Sequence, residues 1–198
     1  MAIKYQFNKI SMQFLRKQLK IRENALPTLK SKESALRMTV KKEKEILAKL
    51  ELKYNELYEK IKSFNRLLAE FPIEYFELNK IDLGIKKIAG IKTPVIENIN
   101  YNIKNFSNFF NPVWLTEGIN LLKELSGIIV EIEVEKRKIN TLEYARKKTT
   151  QKVNLYEKVQ IPEYSEAILK IKRYLEDVDN LEKSAQKITK QKQDTKGA

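Results

Sequence analysis

Three glutamates spaced two residues apart, Glu131, Glu133 and Glu135, come nearest in this chain to a carboxylate cluster that could hold a metal or run acid–base chemistry. They alternate with Ile132 and Val134 in a stretch of helical periodicity. On a helix, side chains two apart point to different faces and do not converge on one substrate, so the spacing reads as a solvated helix face. The 198 residues include no histidine and no cysteine, which removes the usual general base at neutral pH, the commonest metal ligand, thiolate chemistry and disulfides. There is no GxxxxGK phosphate loop, no GxGxxG and no HExxH. The expectation is a chain with no catalytic, cofactor-binding or metal-binding residues, and therefore no enzyme in itself.

Basic clusters are the second candidate chemistry. Lys41-Lys42-Glu43-Lys44, Lys136-Arg137-Lys138 and Arg146-Lys147-Lys148 contribute to a formal net charge of +13. The excess lies on the flanks: residues 1–70 carry 17 basic and 8 acidic side chains, residues 71–118 carry 5 and 5, and residues 119–198 carry 17 and 13. Such an excess favours acidic or polyanionic partners. The clusters lie at positions that a heptad pattern leaves exposed, and no RNP-like motif, zinc finger or basic zipper accompanies them. Direct nucleic-acid binding is accordingly the weaker reading.

The elements that carry these residues are legible from periodicity. Alternating steps of four and three from Leu15 reach Phe71 through seventeen positions, fourteen of them apolar or aromatic. A phase kept for eight heptads predicts a helix of roughly 85–90 Å, supercoiled against a partner. Ser11 is the expected N-cap. Pro27 falls in the interior of this helix; either the helix kinks there or a short helix precedes it, and the unbroken phase favours a kink. A second ladder runs from Ile128 through Glu135, Arg146, Val153 and Tyr156, then resumes one residue out of phase at Ile161 and Tyr164, beside Pro162. A kink or change of winding is expected there.

Between the ladders, proline, glycine, asparagine and β-branched residues replace the heptads. Lys92-Thr93-Pro94-Val95-Ile96 reads as an edge strand of a small hairpin. Trp114 is either packing at the hairpin junction or an anchor for a partner. The expected fold is all-α, a long antiparallel two-helix hairpin with a small β-hairpin segment in the middle. Its parts are a first helix over 1–71, a connecting region over 72–113, a second helix over 114–190 and a frayed tail over 191–198. No apolar run approaches the roughly 20 residues of a membrane span, and the N-terminus lacks a signal peptide's apolar core, so a soluble, cytoplasmic protein is expected. Apolar residues beside the seam, Ile46, Leu52, Tyr58 and Leu67, call for another protein to cover them.

Polar residues inside the ladders are the sharpest candidates for specificity. Arg22, Glu33, Glu43, Glu135 and Arg146 occupy seam positions where polarity fixes register or meets a third partner. If paired residue numbers sum to about 200, Glu43 lies near Lys152 and Lys158.

Three stretches resemble the D subunit of the V/A-type rotary ATPases, and together they cover nearly the whole chain. Leu26 to Leu36 resembles the family's LLKxKRDxL segment at Leu29, Lys30, Lys32 and Leu36, with Glu33-Ser34 in place of Arg-Asp. Ile88 to Ile96 is similar to its central turn and strand, with Gly90 and Pro94 matching. Val153 to Pro162 resembles its RRVNALExxxIP signature at Val153, Asn154, Glu157, Ile161 and Pro162, with Gln151-Lys152 before it. The resemblance implies a non-catalytic central-stalk rotor shaft of a proton- or sodium-translocating ATPase or ATP synthase, cytoplasmic and peripheral to the membrane, without cofactors. It also implies partners: the A and B subunits of the catalytic head around paired terminal tips, the small central-stalk F subunit, and a membrane-sector connector subunit. The rival readings are a general coiled-coil scaffold and a basic nucleic-acid-binding rod.

Overall fold

A computed structural model describes residues 4–63, 70–104, 112 and 114–194. Helix α1 spans Lys9–Ser63, strands β1 and β2 span Phe76–Ile88 and Ile91–Ile103, helix α2 spans Trp114–Asn154, and helix α3 spans Ile161–Asp194. A single wide turn, Leu155–Gln160, joins α2 to α3. The fold is the expected helical hairpin with a two-stranded insert. It divides into two compact units, residues 1–32 with 149–198 and residues 33–148.

The seam ladders are borne out. Every ladder position from Leu15 to Ile61, and from Ile128 to Val178, is buried or half-buried; Phe64 and Leu68 lie outside the described residues. In the first unit, Leu15 packs with Ala167 and Ile171. In the second, Leu36 and Val40 pack with Leu142. Numbering rises on one helix as it falls on the other, so the helices run antiparallel within each unit.

The helix start is shifted from expectation. Asn8, not Ser11, caps α1: its Oδ1 accepts the Ser11 backbone N–H at 2.7 Å, while the Ser11 hydroxyl accepts the Gln6 N–H. Pro27 lies inside α1, which is helical on both sides of it, so no separate short helix precedes it. At the other end α3 continues through 191–194, residues expected to fray; residues 195–198 lie outside the described ones.

The β-hairpin is longer than a small insert. Its two 13-residue strands pair from Phe76↔Ile103 to Ile88↔Ile91 around the two-residue turn Ala89-Gly90, with φ of 49° and 79°. Left-handed backbone at both central residues is the turn that suits the strands' twist; Gly90 adopts it freely, whereas Ala89 carries a Cβ strain of about 1–2 kcal/mol. Bulges leave Asn79 and Glu97 out of the pairing. The strands belong to the second unit, where Ile91 packs against Leu36, Val40 and Leu142, and Tyr101 rests on α2, its hydroxyl donating to the Lys123 carbonyl. Pro94 is tolerated because a two-stranded sheet leaves each strand one open edge.

Candidate functional site

The structure separates the predicted polar seam residues into two groups. In the first unit Arg22 is half-buried, and its guanidinium is held on several sides. Nε donates to Gln160 Oε1 at 2.6 Å, and Nη1 donates to the Gln18 carbonyl at 2.9 Å and to Gln18 Oε1 at 2.8 Å. The Tyr164 ring lies 4.6 Å from the guanidinium carbon and the Tyr156 ring 5.8 Å. Cation–π attraction strengthens as water is excluded, so a seam arginine held this way is stabilised without relying on a buried counter-charge.

Arg22 meets α3 beside the wide turn. There Ile161 N–H donates to the Tyr156 carbonyl, a bond spanning five residues instead of four, and one extra residue is accommodated. This is the physical content of the one-residue phase slip between Tyr156 and Ile161. Pro162 follows immediately and has no N–H to give the α-helical ladder, so the change of winding falls where a regular bond is already missing.

In the second unit Glu43 and Glu135 are buried, at 8% and 6% exposure, on facing helices. Lys138 reaches both, with Nζ 2.6 Å from Glu135 Oε2 and 3.4 Å from Glu43 Oε2. Glu43 therefore faces Lys138, not Lys152 or Lys158. The pairs Arg22/Gln160, Lys30/Glu157, Glu43/Lys138 and Glu51/Lys136 have residue numbers summing to 181–187, against the expected 200. The offset follows from the end of the second unit, where Phe71 and Trp114 rings lie 6.4 Å apart. The second helix begins opposite the end of the first ladder, some fifteen residues earlier than pairing Phe71 with Ile129 required. Trp114 thus packs at the hairpin junction, beside the buried Leu115.

The other two seam residues are half-buried. Glu33 accepts from Arg37 one helical turn on, at 3.0 Å. Arg146 acts on Glu143, whose carboxyl is held below the usual carboxylate range first by the hydrogen bond from Lys44 and further by the charges of Lys44, Arg146 and Lys147. Among the residues that carry the family resemblance, Lys30 and Glu157 form an ion pair of 2.6 Å in the first unit, a pairing that periodicity alone does not reveal. Lys32, Asn154 and Pro162 are exposed, Leu29 and Ile161 half-buried, and Leu36 and Val153 buried in the seams. Gly90 makes the hairpin turn and Pro94 lies opposite Ile85.

Glu131 and Glu133 are exposed while Glu135 is buried, so the three carboxylates do face apart. Among the described residues, no group of three His, Cys, Asp or Glu side chains could hold a metal ion. No described helix is long and apolar enough to cross a membrane. An open groove of about 580 Å³ on the second unit is lined by Tyr54, Ile129 and Ile132, with Glu51, Glu133 and Lys136 at its polar side. Ile46, Leu52 and Tyr58 are exposed, as expected of residues beside the seam, while Leu67 lies outside the described residues.

Comparison with known proteins places this architecture. The sequence profile of the family described as the ATP synthase D subunit matches residues 11–191. The D subunit of the V-type ATP synthase of Borreliella burgdorferi is 39% identical over 90 residues, covering 46% of this chain and 45% of that protein. Its counterpart from Chlamydia pneumoniae is 32% identical over 102 residues, 52% of this chain and 49% of that protein, and the one from Chlamydia felis 29% identical over 128 residues, 62% of each. The chain thus spans about half to three fifths of the length of these relatives. With a profile match running through both seams, the wide turn and the β-hairpin, the chain belongs to the D-subunit family of the V/A-type ATPases.

Proposed function

We propose that the chain is the central-stalk rotor of a V/A-type ATPase, turning with ATP hydrolysis or synthesis in the catalytic head and coupling it to proton or sodium translocation. The observation that carries the reading is the family match over residues 11–191, which includes both seams and the polar positions along them. A shaft needs torsional stiffness and one fixed register, and the two seams supply these through buried apolar ladders interrupted by polar locks at Arg22 and Glu135. The polar seam set Arg22, Glu33, Glu43, Glu135 and Arg146 holds register in this reading and performs no chemistry.

The partners proposed are the A and B subunits of the head, the small F subunit and the membrane-sector connector, with the chain cytoplasmic and peripheral to the membrane. Basic residues Arg16, Lys17, Lys20, Lys187 and Lys190 suit an acidic lining around the terminal ends. Affinity purification of the tagged chain from its own cells should recover ATPase head subunits and a small stalk subunit in fixed stoichiometry. Membranes lacking the chain should lose ATP-driven ion transport and regain it on complementation. Recovery of the chain as a self-associated species with no ATPase subunit would favour the scaffold reading instead.

A further inference from the structure

Two carboxylates and one ammonium meet in the seam of the second unit. The side chains of Glu43, Glu135 and Lys138 retain only 11%, 8% and 15% of their exposure. With all three ionised, the cluster carries a net negative charge inside a largely dry seam, an unfavourable state unless it is compensated. A second difficulty lies on Glu135. Its Oε2 accepts from Lys138, but its Oε1 is buried with no hydrogen-bond partner. An ionised carboxylate oxygen can only accept, and the Glu43 carboxyl that acts on Glu135 from the facing helix has no proton to offer when ionised.

One proton removes both difficulties. Taken from solvent onto Glu135, it turns the orphaned oxygen into a donor toward Glu43 and brings the three groups to net zero charge. We propose that Glu135 holds a proton facing Glu43, a buried proton-binding site on α2 opposite α1 that tightens the second unit's seam when filled and loosens it when empty. The charged groups acting on Glu135 are Glu43 from α1 and Lys138 from α2; no charged group of the β-hairpin is among them. Burial raises the Glu135 carboxyl above the ordinary glutamate value and Glu43 raises it further, outweighing Lys138. Burial opposes the charge on Lys138, yet the two carboxylates raise its ammonium overall, so the lysine stays charged while the site fills and empties.

The direction of the pH effect follows. Folded Glu135 holds its proton more tightly than unfolded Glu135. The stabilisation is therefore complete below the ordinary value of 4.5 and is lost as pH rises through the higher folded value. Infrared spectroscopy of the full chain titrated from about pH 4 to about pH 7 should show one protonated-carboxyl C=O band that persists to higher pH than those of the exposed glutamates. The band should be absent in Glu135→Gln. It should also vanish in Glu43→Gln, where one carboxylate against Lys138 needs no proton. Thermal unfolding should agree. Glu135→Gln, a fixed mimic of the filled site, should match the wild type at about pH 4.5 and exceed it at higher pH, by about 3–5 °C for each pH unit separating the folded and unfolded values. A wild-type spectrum without the band, a band that survives in both variants, or a melting difference independent of pH would overturn the site; the first would mean that a water donates to Oε1 instead.

Discussion

The two units use the same antiparallel helix pair but solve the problem of a polar group in the seam in opposite ways. The first places a cation there and surrounds it with two tyrosine faces and two amide side chains, next to a turn that admits an extra residue. The second buries two acids and a lysine between regular helices. A guanidinium stacked on aromatic rings is adaptable, because ring faces have no donor that must be matched one for one. A buried acid–base cluster is not, because each carboxylate oxygen needs its own donor. The first unit should therefore tolerate changes in helix winding that the second cannot.

Deleting one residue tests that contrast most severely. Loss of the exposed Asn140 in the second unit would turn the rest of that unit's α2 by about 100° relative to the seam and move Leu142 off Leu36 and Val40, so the native seam should fail to form. Loss of the exposed Lys158 in the wide turn should instead let the turn close into ordinary α-helix with the ladder from Ile161 kept in phase. Circular dichroism and urea unfolding should show a cooperative transition for the second variant alone. Equal damage from both would break the comparison.

Core truncation comes next and should act alike in both units. Leu142→Ala and Ile171→Ala, each replacing a side chain with no exposed surface, should lower unfolding stability by about 2–5 kcal/mol, measured by urea titration. At Arg22 the expected loss is smaller. Arg22→Ala should cost about 1–3 kcal/mol, and Arg22→Lys should recover only part of it, because an ammonium cannot contact Gln160, Gln18 and both rings at once.

Exposed ion pairs should matter least. Lys30→Ala and Lys44→Ala, breaking the pairs with Glu157 and Glu143, should each shift stability by about 0.2–1 kcal/mol at low salt and less at high salt. The Glu143 pair has the opposite pH sign to the buried cluster. Its carboxyl is held down by Lys44, so its contribution is present above the ordinary value of 4.5 and is lost as pH falls through the lower folded value. Lys44→Ala should lower stability at neutral pH, converge on the wild type at low pH, and so flatten the acid side of the stability profile.

Which residues face the seam is fully legible in the sequence, because burial follows a period that Leu15 through Ile61 keep without interruption. The wide turn is legible too, as a slip of one residue ahead of Ile161. Register is not. A heptad ladder looks the same after any shift of seven, so nothing in its phase says whether Glu43 faces Lys138 or Lys152. That choice is made by the chain reversal, where Phe71 meets Trp114. The aromatic partners of Arg22 can be recognised as seam residues but not assigned to it, for the same reason. The length of the β-hairpin is hidden by its two bulges, which interrupt the alternation that marks a strand.

The rotor reading makes one claim above the others: the chain turns while the head hydrolyses ATP. The chain has no cysteine of its own, so Lys87→Cys, at an exposed position on β1, offers a single attachment point for a bead or gold particle on an immobilised catalytic head. Continuous unidirectional rotation on addition of ATP, stopping when ATP is removed, is the predicted result. Sustained ATP hydrolysis with the probe stationary would contradict it.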